Sequence, residues 1–445
     1  MSMNLTEPAH LLQKYLQIPS ESGREARAGS YLKEICMQGG LHIQEMGQQD
    51  GQYNFIASLF PLDSNKPNII LLNHLDVVPE SENNVFGPYS GVVENGNLYG
   101  RGAIDNKGAA IMQIAALMKV REKENYQGSE YNISVLCVSC EETQCDGGIQ
   151  YVLENYGNDL NAVAVIGEGP TEITELLEEE FPQPIFGISL AHKRAYWLQL
   201  ELEIETVGHG SVTPTTYANK ELVAALEKLT GKKQKAIFNE VNTEFLKEIA
   251  QYRTGIQRLV LKHPRLFKPL LVPQLRKSPE LFSIFSNTVT LTNLSSSSQA
   301  LNTNSTIATA GLDCRLLPET DETAFAEDIR KRLKNDQIRI HVIKSTPRNK
   351  PSSPKNIFHK NLRAAILESH PGATTMNLLM PNINDMGYFR ARGVPSYGTI
   401  PIHLSRNQAK SIHGDDEYIS LKDLDEGTHV FYTFLKKMIY YRTNE

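Results

Sequence analysis

His74, Asp76, Asp105, the adjacent pair Glu141-Glu142 and Glu168 each stand just after a predominantly apolar stretch of chain. Groups that titrate are poor packing material directly after a buried strand. In an open α/β sheet, the crevice outside the carboxyl ends of the strands is where ligands bind. An imidazole and several carboxylates gathered there can cage a metal ion, and a carboxylate left over can move a proton.

The clusters differ in how much each says alone. Asn73-His74-Leu75-Asp76 follows Ile69-Ile70-Leu71-Leu72, and residues two apart in extended chain share a face. Asp76 can therefore hold the ring of a metal-ligating His74 and set its tautomer. Tyr99-Gly100-Arg101-Gly102-Ala103-Ile104-Asp105-Asn106-Lys107-Gly108 allows close backbone approach and puts Asp105 just before a helix. A nucleotide loop is the competing interpretation, but the third glycine of a dinucleotide fingerprint and the Gly-Lys-Ser/Thr of a P-loop are both missing. Cys140-Glu141-Glu142-Thr143 ends a strand, where a turn lets both carboxylates face one cavity and divide labour between ligation and proton transfer. Cys137-x-x-Cys140 reads as two packing residues on opposite faces of that strand. Glu168 lies between Gly167 and Gly169, and His413 belongs to Ser411-Ile412-His413-Gly414-Asp415-Asp416-Glu417.

The elements that must hold these groups alternate. A helix is predicted over Arg24 to Gln38, a buried strand over Asn68 to Asn73, and a long helix over Lys107 to Lys123. Next come a strand over Ile133 to Ser139, a helix over Gly148 to Asn155 and a strand over Ala162 to Ile166. Strand-length apolar runs separated by helices imply parallel pairing with right-handed crossovers. Near Leu190 the pattern changes. Leu198, Leu200, Leu202 and Ile204 alternate with polar residues, as in a strand wet on one face. Helices at Lys220 to Leu229 and Thr323 to Leu333 and strands at Thr306 to Leu316 and Ile338 to Ile343 complete a smaller α+β unit. Lys344 to Pro354 reads as a linker, and Ser420 as the cap of a final helix. The expected organisation is a catalytic domain in two parts, 1–190 and 344–445, with an inserted lid or dimerisation domain at 191–343.

Composition narrows the function. With 445 residues, 45 Lys plus Arg against 51 Asp plus Glu and a net charge of -6, the chain lacks the basic footprint of a nucleic-acid partner. No apolar run is long enough for a transmembrane segment, and Met1 to Glu7 has no leader pattern. Five cysteines suggest reduced thiols and a cytoplasmic protein. The stretch Ile249 to Phe285 mixes seven Lys and Arg with Leu, Phe and Ile. It reads either as a helical elaboration with a solvated basic face or as a surface for lipids or acidic substrates.

Taken in order, His-x-Asp, Gly-Arg-Gly-x-x-Asp-x-Lys-Gly, Glu-Glu, Gly-Glu-Gly and a late His-Gly-x-x-Glu resemble the dizinc metallopeptidase and amidohydrolase family of carboxypeptidase S, aminoacylase and glutamate carboxypeptidase. Phe86-Gly87-Pro88-Tyr89-Ser90-Gly91 and Arg406 to Glu417 look most like the branch of carboxypeptidase S and the N-fatty-acyl-amino-acid hydrolases. The resemblance implies a mostly parallel α/β catalytic sheet of the zinc exopeptidase type with an inserted ferredoxin-like lid. It implies two zinc ions, replaceable by Co²⁺ or Mn²⁺, with Asp105 bridging, His74 and Glu168 on one metal and Glu142 and His413 on the other. Asp76 would orient His74, and Glu141 would be the general base for hydrolysis by a hydroxide held between the metals. His209, in Gly208-His209-Gly210-Ser211, matches the family's oxyanion donor, and Asn302 a substrate-contacting asparagine.

Some positions depart from that family. Asn302-Thr303-Asn304-Ser305 replaces Asn-x-Ile-Pro, Gly387 stands where an arginine follows the aspartate at Asp385, and glycines usual near Lys193 are missing. Arg390 and Arg315 are the candidates to bind a substrate carboxylate instead. The expected activity is hydrolysis of an amide bond beside a free carboxylate in short peptides, or in an N-acyl amino acid. A homodimer through the lid is a further expectation. A non-catalytic metal-binding homologue is the rival, and a dinucleotide enzyme a distant third.

Overall fold

The computed structural model describes residues 6–47, 51–80, 83–177, 181–205, 208–298 and 300–442, so most of the Met1 to Glu7 stretch lies outside it. The chain forms two compact units. The first comprises residues 1–190, 352–378 and 388–445, and the second residues 191–351 and 379–387.

The first unit is built on an eight-stranded sheet. In spatial order its strands are His42–Glu45, Phe55–Ser58, Asn132–Val138, Asn68–His74, Ala162–Gly167, Ser396–Gly398, Ile185–His192 and Thr374–Met380. Asn68–His74 is central and runs parallel to both neighbours, with Leu71 opposite Val135 on one side and Ile166 on the other. Every residue of Asn68–His74 and Asn132–Val138 is buried. That is the signature of parallel strands covered on both faces. The Lys107–Lys123 helix supplies part of the cover, and the residues of its first three turns are almost all buried. The long Leu421–Ile439 helix packs against it, capped by Ser420, whose Oγ accepts the Asp423 N–H.

Parallel pairing does not extend across the whole sheet. Phe55–Ser58 runs antiparallel to Asn132–Val138 and His42–Glu45 antiparallel to Phe55–Ser58, while Ser396–Gly398 meets Ile185–His192 antiparallel. These strands are joined by short connections or by the chain returning from far away, so no right-handed crossover is required of them.

In the second unit the elements run strand Arg194–Glu203, helix Ala218–Thr230, strands Thr288–Ser296 and Ile307–Leu316, helix Glu322–Leu333, strand Arg339–Ser345. The strands pair antiparallel, with Ile307–Leu316 and Arg194–Glu203 inside and Thr288–Ser296 and Arg339–Ser345 at the edges. This is the ferredoxin-like order. Leu198, Leu200, Leu202, Ala310 and Leu312 on one sheet face meet Leu222, Leu226, Ile329 and Leu333 from the two helices. Alternate residues of Ile307–Leu316 are buried, as period-two patterning requires. The stretch 249–285 folds into the short helices Gly255–Lys262, Lys268–Leu275 and Pro279–Ser283. Ile256, Leu259, Leu266 and Leu270 are exposed there.

The Pro- and Ser-rich segment after Arg339–Ser345 is pinned rather than loose. Ser352 donates its Oγ–H to the Ser396 carbonyl at 2.9 Å and accepts the Ser396 N–H at 2.8 Å. Truncating the central strand tests where stability resides. Leu71→Ala should cost about 2–5 kcal/mol in denaturant unfolding, whereas Leu294→Ala on the exposed edge strand should stay within about 0.5 kcal/mol.

Candidate metal centre

Three adjacent parallel strands deliver the chemistry. Asn68–His74 ends on His74, Ala162–Gly167 is followed at once by Glu168, and Asn132–Val138 leads through Ser139 and Cys140 to Glu141 and Glu142. His74 is paired in register with Val138, so the ends of those two strands lie level. Cys140 takes a left-handed φ of 64°, which turns the chain out of the strand direction. Both following backbone N–H groups then meet one carboxylate. Glu141 N–H donates to Asp76 Oδ1 and Glu142 N–H to Asp76 Oδ2, each at 3.0 Å, and Ser22 Oγ–H donates to Oδ2 at 2.7 Å. Hydrogen bonds to a charged acceptor contribute about 1.5–3 kcal/mol each, enough to fix this turn.

Asp76 thus serves the glutamate pair more directly than it serves the ring of His74. His74 Nδ1 donates to the Asp76 backbone carbonyl at 2.9 Å, with the Asp76 carboxylate farther off at 3.4 Å. The ring tautomer is set either way, and Nε2 is left facing carboxylate oxygens. It lies 3.2 Å from Asp105 Oδ1 and 3.3 Å from Glu168 Oε2. On the far side, His413 Nε2 lies 3.3 Å from Asp105 Oδ2 and 3.1 Å from Glu142 Oε1. Each oxygen of Asp105 therefore faces a different imidazole. Ligand atoms of His74, Asp105 and Glu142 all fall within 4.8 Å of one another.

A neutral imidazole nitrogen and a carboxylate oxygen repel lone pair to lone pair, so this arrangement calls for a positive charge between them, a metal ion or a proton. Without a metal, a proton takes that place. Burial pulls the His74 pKa down, yet Asp105, Asp76 and Glu168 outweigh it and hold the ring well above the usual histidine range. His413 is raised to about 10 by Asp105 and Glu142. Burial pushes Glu168 up to about 7, with the Asp105 charge adding to it. For Asp105 burial acts upward, but His413 and His74 together hold it well below the usual carboxylate range. Two imidazoles and three carboxylates are a donor set suited to a pair of divalent cations.

The loop carrying Asp105 is held by a residue whose role the sequence did not disclose. Glu417 accepts the N–H groups of Gly102 at 3.0 Å, Ile104 at 2.8 Å and Asp105 at 3.1 Å, and its carboxylate lies 3.4 Å from Arg101 Nη1. Both side chains are essentially fully buried. The available signal was the late motif itself, in which Glu417 follows His413 by four positions. Gly102 has a φ of 90°, and a Cβ on Gly108 would stand 2.0 Å from the Ala103 carbonyl oxygen, so the glycines are steric requirements. Lys107 Nζ donates to the Ile18 carbonyl at 2.6 Å, and burial lowers its pKa to about 7.

Two expectations about cysteine are corrected. The strand stops at Val138, so Cys140 is not a strand packing residue. It pairs with Cys145 across the Glu141-Glu142 turn, leaving Cys36, Cys137 and Cys314 free and buried. The chain thus does not carry five reduced thiols.

The remaining site candidates divide between the two units. His209, Asn302, Arg315 and Asp385 belong to the second unit. His209 is exposed, and its Nδ1 accepts the Ser211 N–H at 3.1 Å. Asn302 is exposed and accepts the Gly210 N–H on its backbone carbonyl at 2.7 Å. Arg315 Nε donates to Asp313 Oδ2 at 3.1 Å, and Asp385 is buried. Arg390, in the first unit, donates Nε–H and Nη2–H to the Ser396 carbonyl at 3.2 and 3.0 Å, and burial lowers its pKa to about 9.

A mostly parallel central sheet with imidazole and carboxylate side chains gathered at its carboxyl edge, accompanied by a ferredoxin-like unit, is the architecture of a metallohydrolase. The chain belongs to peptidase family M20/M25/M40, whose model matches residues 70–437, and is a hydrolase. It is 24% identical over 403 residues to the mouse N-fatty-acyl-amino acid synthase/hydrolase PM20D1, covering 87% of this chain and 78% of that one. Its fold is similar to the M20 family metallo-carboxypeptidase Sso-CP2 of Sulfolobus solfataricus, with a TM-score of 0.73, 21% identity, and coverage of 98% of this chain and 100% of the other. It is also similar, at a TM-score of 0.58 and 12% identity over 96% of each chain, to the Bacillus subtilis YXEP protein, a dinuclear metal binding peptidase.

Glu417→Gln should leave Arg101 buried without its counter-charge. The expected loss is about 3–5 kcal/mol of stability, read as a lower denaturant midpoint at unchanged slope.

Proposed function

We propose that the chain hydrolyses an amide bond beside a free carboxylate, in a short peptide, using two Zn²⁺ ions. The observation that carries this is the placement of Asp105, one oxygen toward His74 and the other toward His413. In this assignment Asp105 would be shared by both ions, His74 and Glu168 would hold one, and Glu142 and His413 would hold the other. The metal pair supplies the positive charge that polarises the scissile carbonyl and makes water nucleophilic at neutral pH.

The protein's own groups do the rest. Glu141 is the base: its backbone is anchored on Asp76, and Gln144 Nε2 donates to its carbonyl at 2.7 Å. Adjacent to the ligand Glu142 but not itself a ligand, its carboxylate takes a proton from water and returns it to the leaving amine. His209 is the oxyanion donor. Because Nδ1 accepts from Ser211, the neutral ring carries its proton on Nε2, the form that can donate to a developing charge. Asn302 contacts substrate, and Arg315, Asp385 and Arg390 are the candidates to anchor its carboxylate. The lids are proposed to pair two chains through the Thr288–Ser296 edge strand, where Leu294 is exposed. No described helix is long and apolar enough to cross a membrane. The cytoplasmic assignment rests on Cys36, Cys137 and Cys314 alone.

One observation favours a second substrate class. The relative PM20D1 acts on N-fatty-acyl amino acids, and Ile256, Leu259, Leu266 and Leu270 form exposed apolar surface among basic residues. A screen of the zinc-loaded protein against dipeptides, N-acetyl and N-fatty-acyl amino acids separates the two. Glu141→Gln should keep its bound metal and lose about 10²–10⁴-fold in kcat. Full turnover in that variant, with metal content unchanged, would remove Glu141 from the base role.

A further inference from the structure

Among the described residues, one other triad meets the same spatial condition as the dinuclear ligands: His370, His403 and Glu426, whose ligand atoms lie within 4.8 Å of one another. All three belong to the first unit, but to separate stretches of chain. His370 ends the Ile357–Ser369 helix, His403 follows the Ser396–Gly398 strand, and Glu426 lies early in the Leu421–Ile439 helix.

The second contacts of these rings are those of metal ligands. His370 is buried, and its Nε2 has no hydrogen-bond partner. The ring nevertheless bonds the Pro401 carbonyl, so Nδ1 carries the proton and the Nε2 lone pair is directed away from it. His403 Nδ1 lies 2.5 Å from Glu172 Oε2, a carboxylate–histidine pair that leaves Nε2 as the free lone pair. A metal-bound histidine usually hands its other N–H to a carbonyl or a carboxylate, and here one ring does each. Glu426 Oε2 is also buried and unpartnered. A buried polar atom without a partner costs about 1–3 kcal/mol, and two of them converge here. His403 is 39% exposed at its side chain, so an ion can enter.

We infer that His370, His403 and Glu426 form a mononuclear site for a divalent cation of the Zn²⁺ class, separate from the dinuclear centre. Two imidazoles and one carboxylate match the three-ligand zinc sites that keep a fourth position for water. Its effect is to cross-link three segments. Glu172, held by His403, ties in a fourth that follows Glu168, and the chain from His403 continues to His413, so the site would lie beside two segments leading into the proposed dinuclear centre.

The test uses full-length His74→Ala/His413→Ala protein, which lacks an imidazole at each dinuclear position. Dialysed against Zn²⁺, it should retain one equivalent per chain and show a raised thermal midpoint. Adding His370→Gln and His403→Gln should abolish both. Glu426→Gln, a milder change at a partly exposed residue, should weaken that binding about tenfold or more. No Zn²⁺ retained by the His74→Ala/His413→Ala protein, or retention indifferent to the His370, His403 and Glu426 changes, would overturn the site. Failure of the dinuclear proposal would look different: wild type and the His74→Ala/His413→Ala variant would bind equal Zn²⁺, all of it lost with His370 and His403.

Discussion

One electrostatic constraint governs the carboxyl edge of the large sheet. Asp105, Glu142 and Glu168 are held within reach of two imidazoles, with Asp76 and Glu141 directly behind. Such a concentration of negative charge in a partly buried place is unfavourable unless compensated, and the protein cannot relax it by moving apart. Asp76 fixes the Glu141-Glu142 turn, and Glu417 fixes the Gly102–Asp105 loop. Divalent cations at this edge would supply that compensation; without them His74 and His413 are held in the protonated form by the surrounding carboxylates.

The sheet explains why the rigidity is available. His74, Glu168 and the Glu141-Glu142 turn leave three neighbouring parallel strands at one edge, and those strands are buried on both faces by packed helices. Strand ends of this kind offer fixed anchor points, while the turns beyond them are free to vary in chemistry. The cost appears locally as left-handed backbone at the non-glycine residues Cys140 and His413, with φ of 64° and 60°. Strain of that kind persists only where surrounding contacts over-determine the conformation.

What the sequence disclosed follows from where each residue sits. Asn68 to Asn73 and Lys107 to Lys123 were legible because a doubly covered strand is a continuous apolar run and a buried helix is a long one. Ionisable groups directly after such runs stood out for the same reason. Thr288–Ser296 escaped notice because the alternation of Val289 and Leu291 is short and a bulge between Leu291 and Asn293 puts Leu294 out of step with it. Ile185–His192 was hidden by Gly187 and the prolines before it. Antiparallel strands at the sheet margin were too short to announce their direction. His413 gained meaning only from the motif around it, and Glu417 only from the hydrogen bonds it accepts. His370, His403 and Glu426 share no spacing at all, so only folding brings them together. The Cys140–Cys145 pair depends on a turn that the strand-like run before it conceals.

The most direct measurement of the central claim is anomalous diffraction at the zinc edge from crystals of the zinc-loaded protein. The account predicts a pair of peaks about 3.5–4 Å apart, one against each carboxylate oxygen of Asp105, with His74 and His413 on opposite members. A lone peak between the two histidines, or a pair that Asp105 does not bridge, would contradict it.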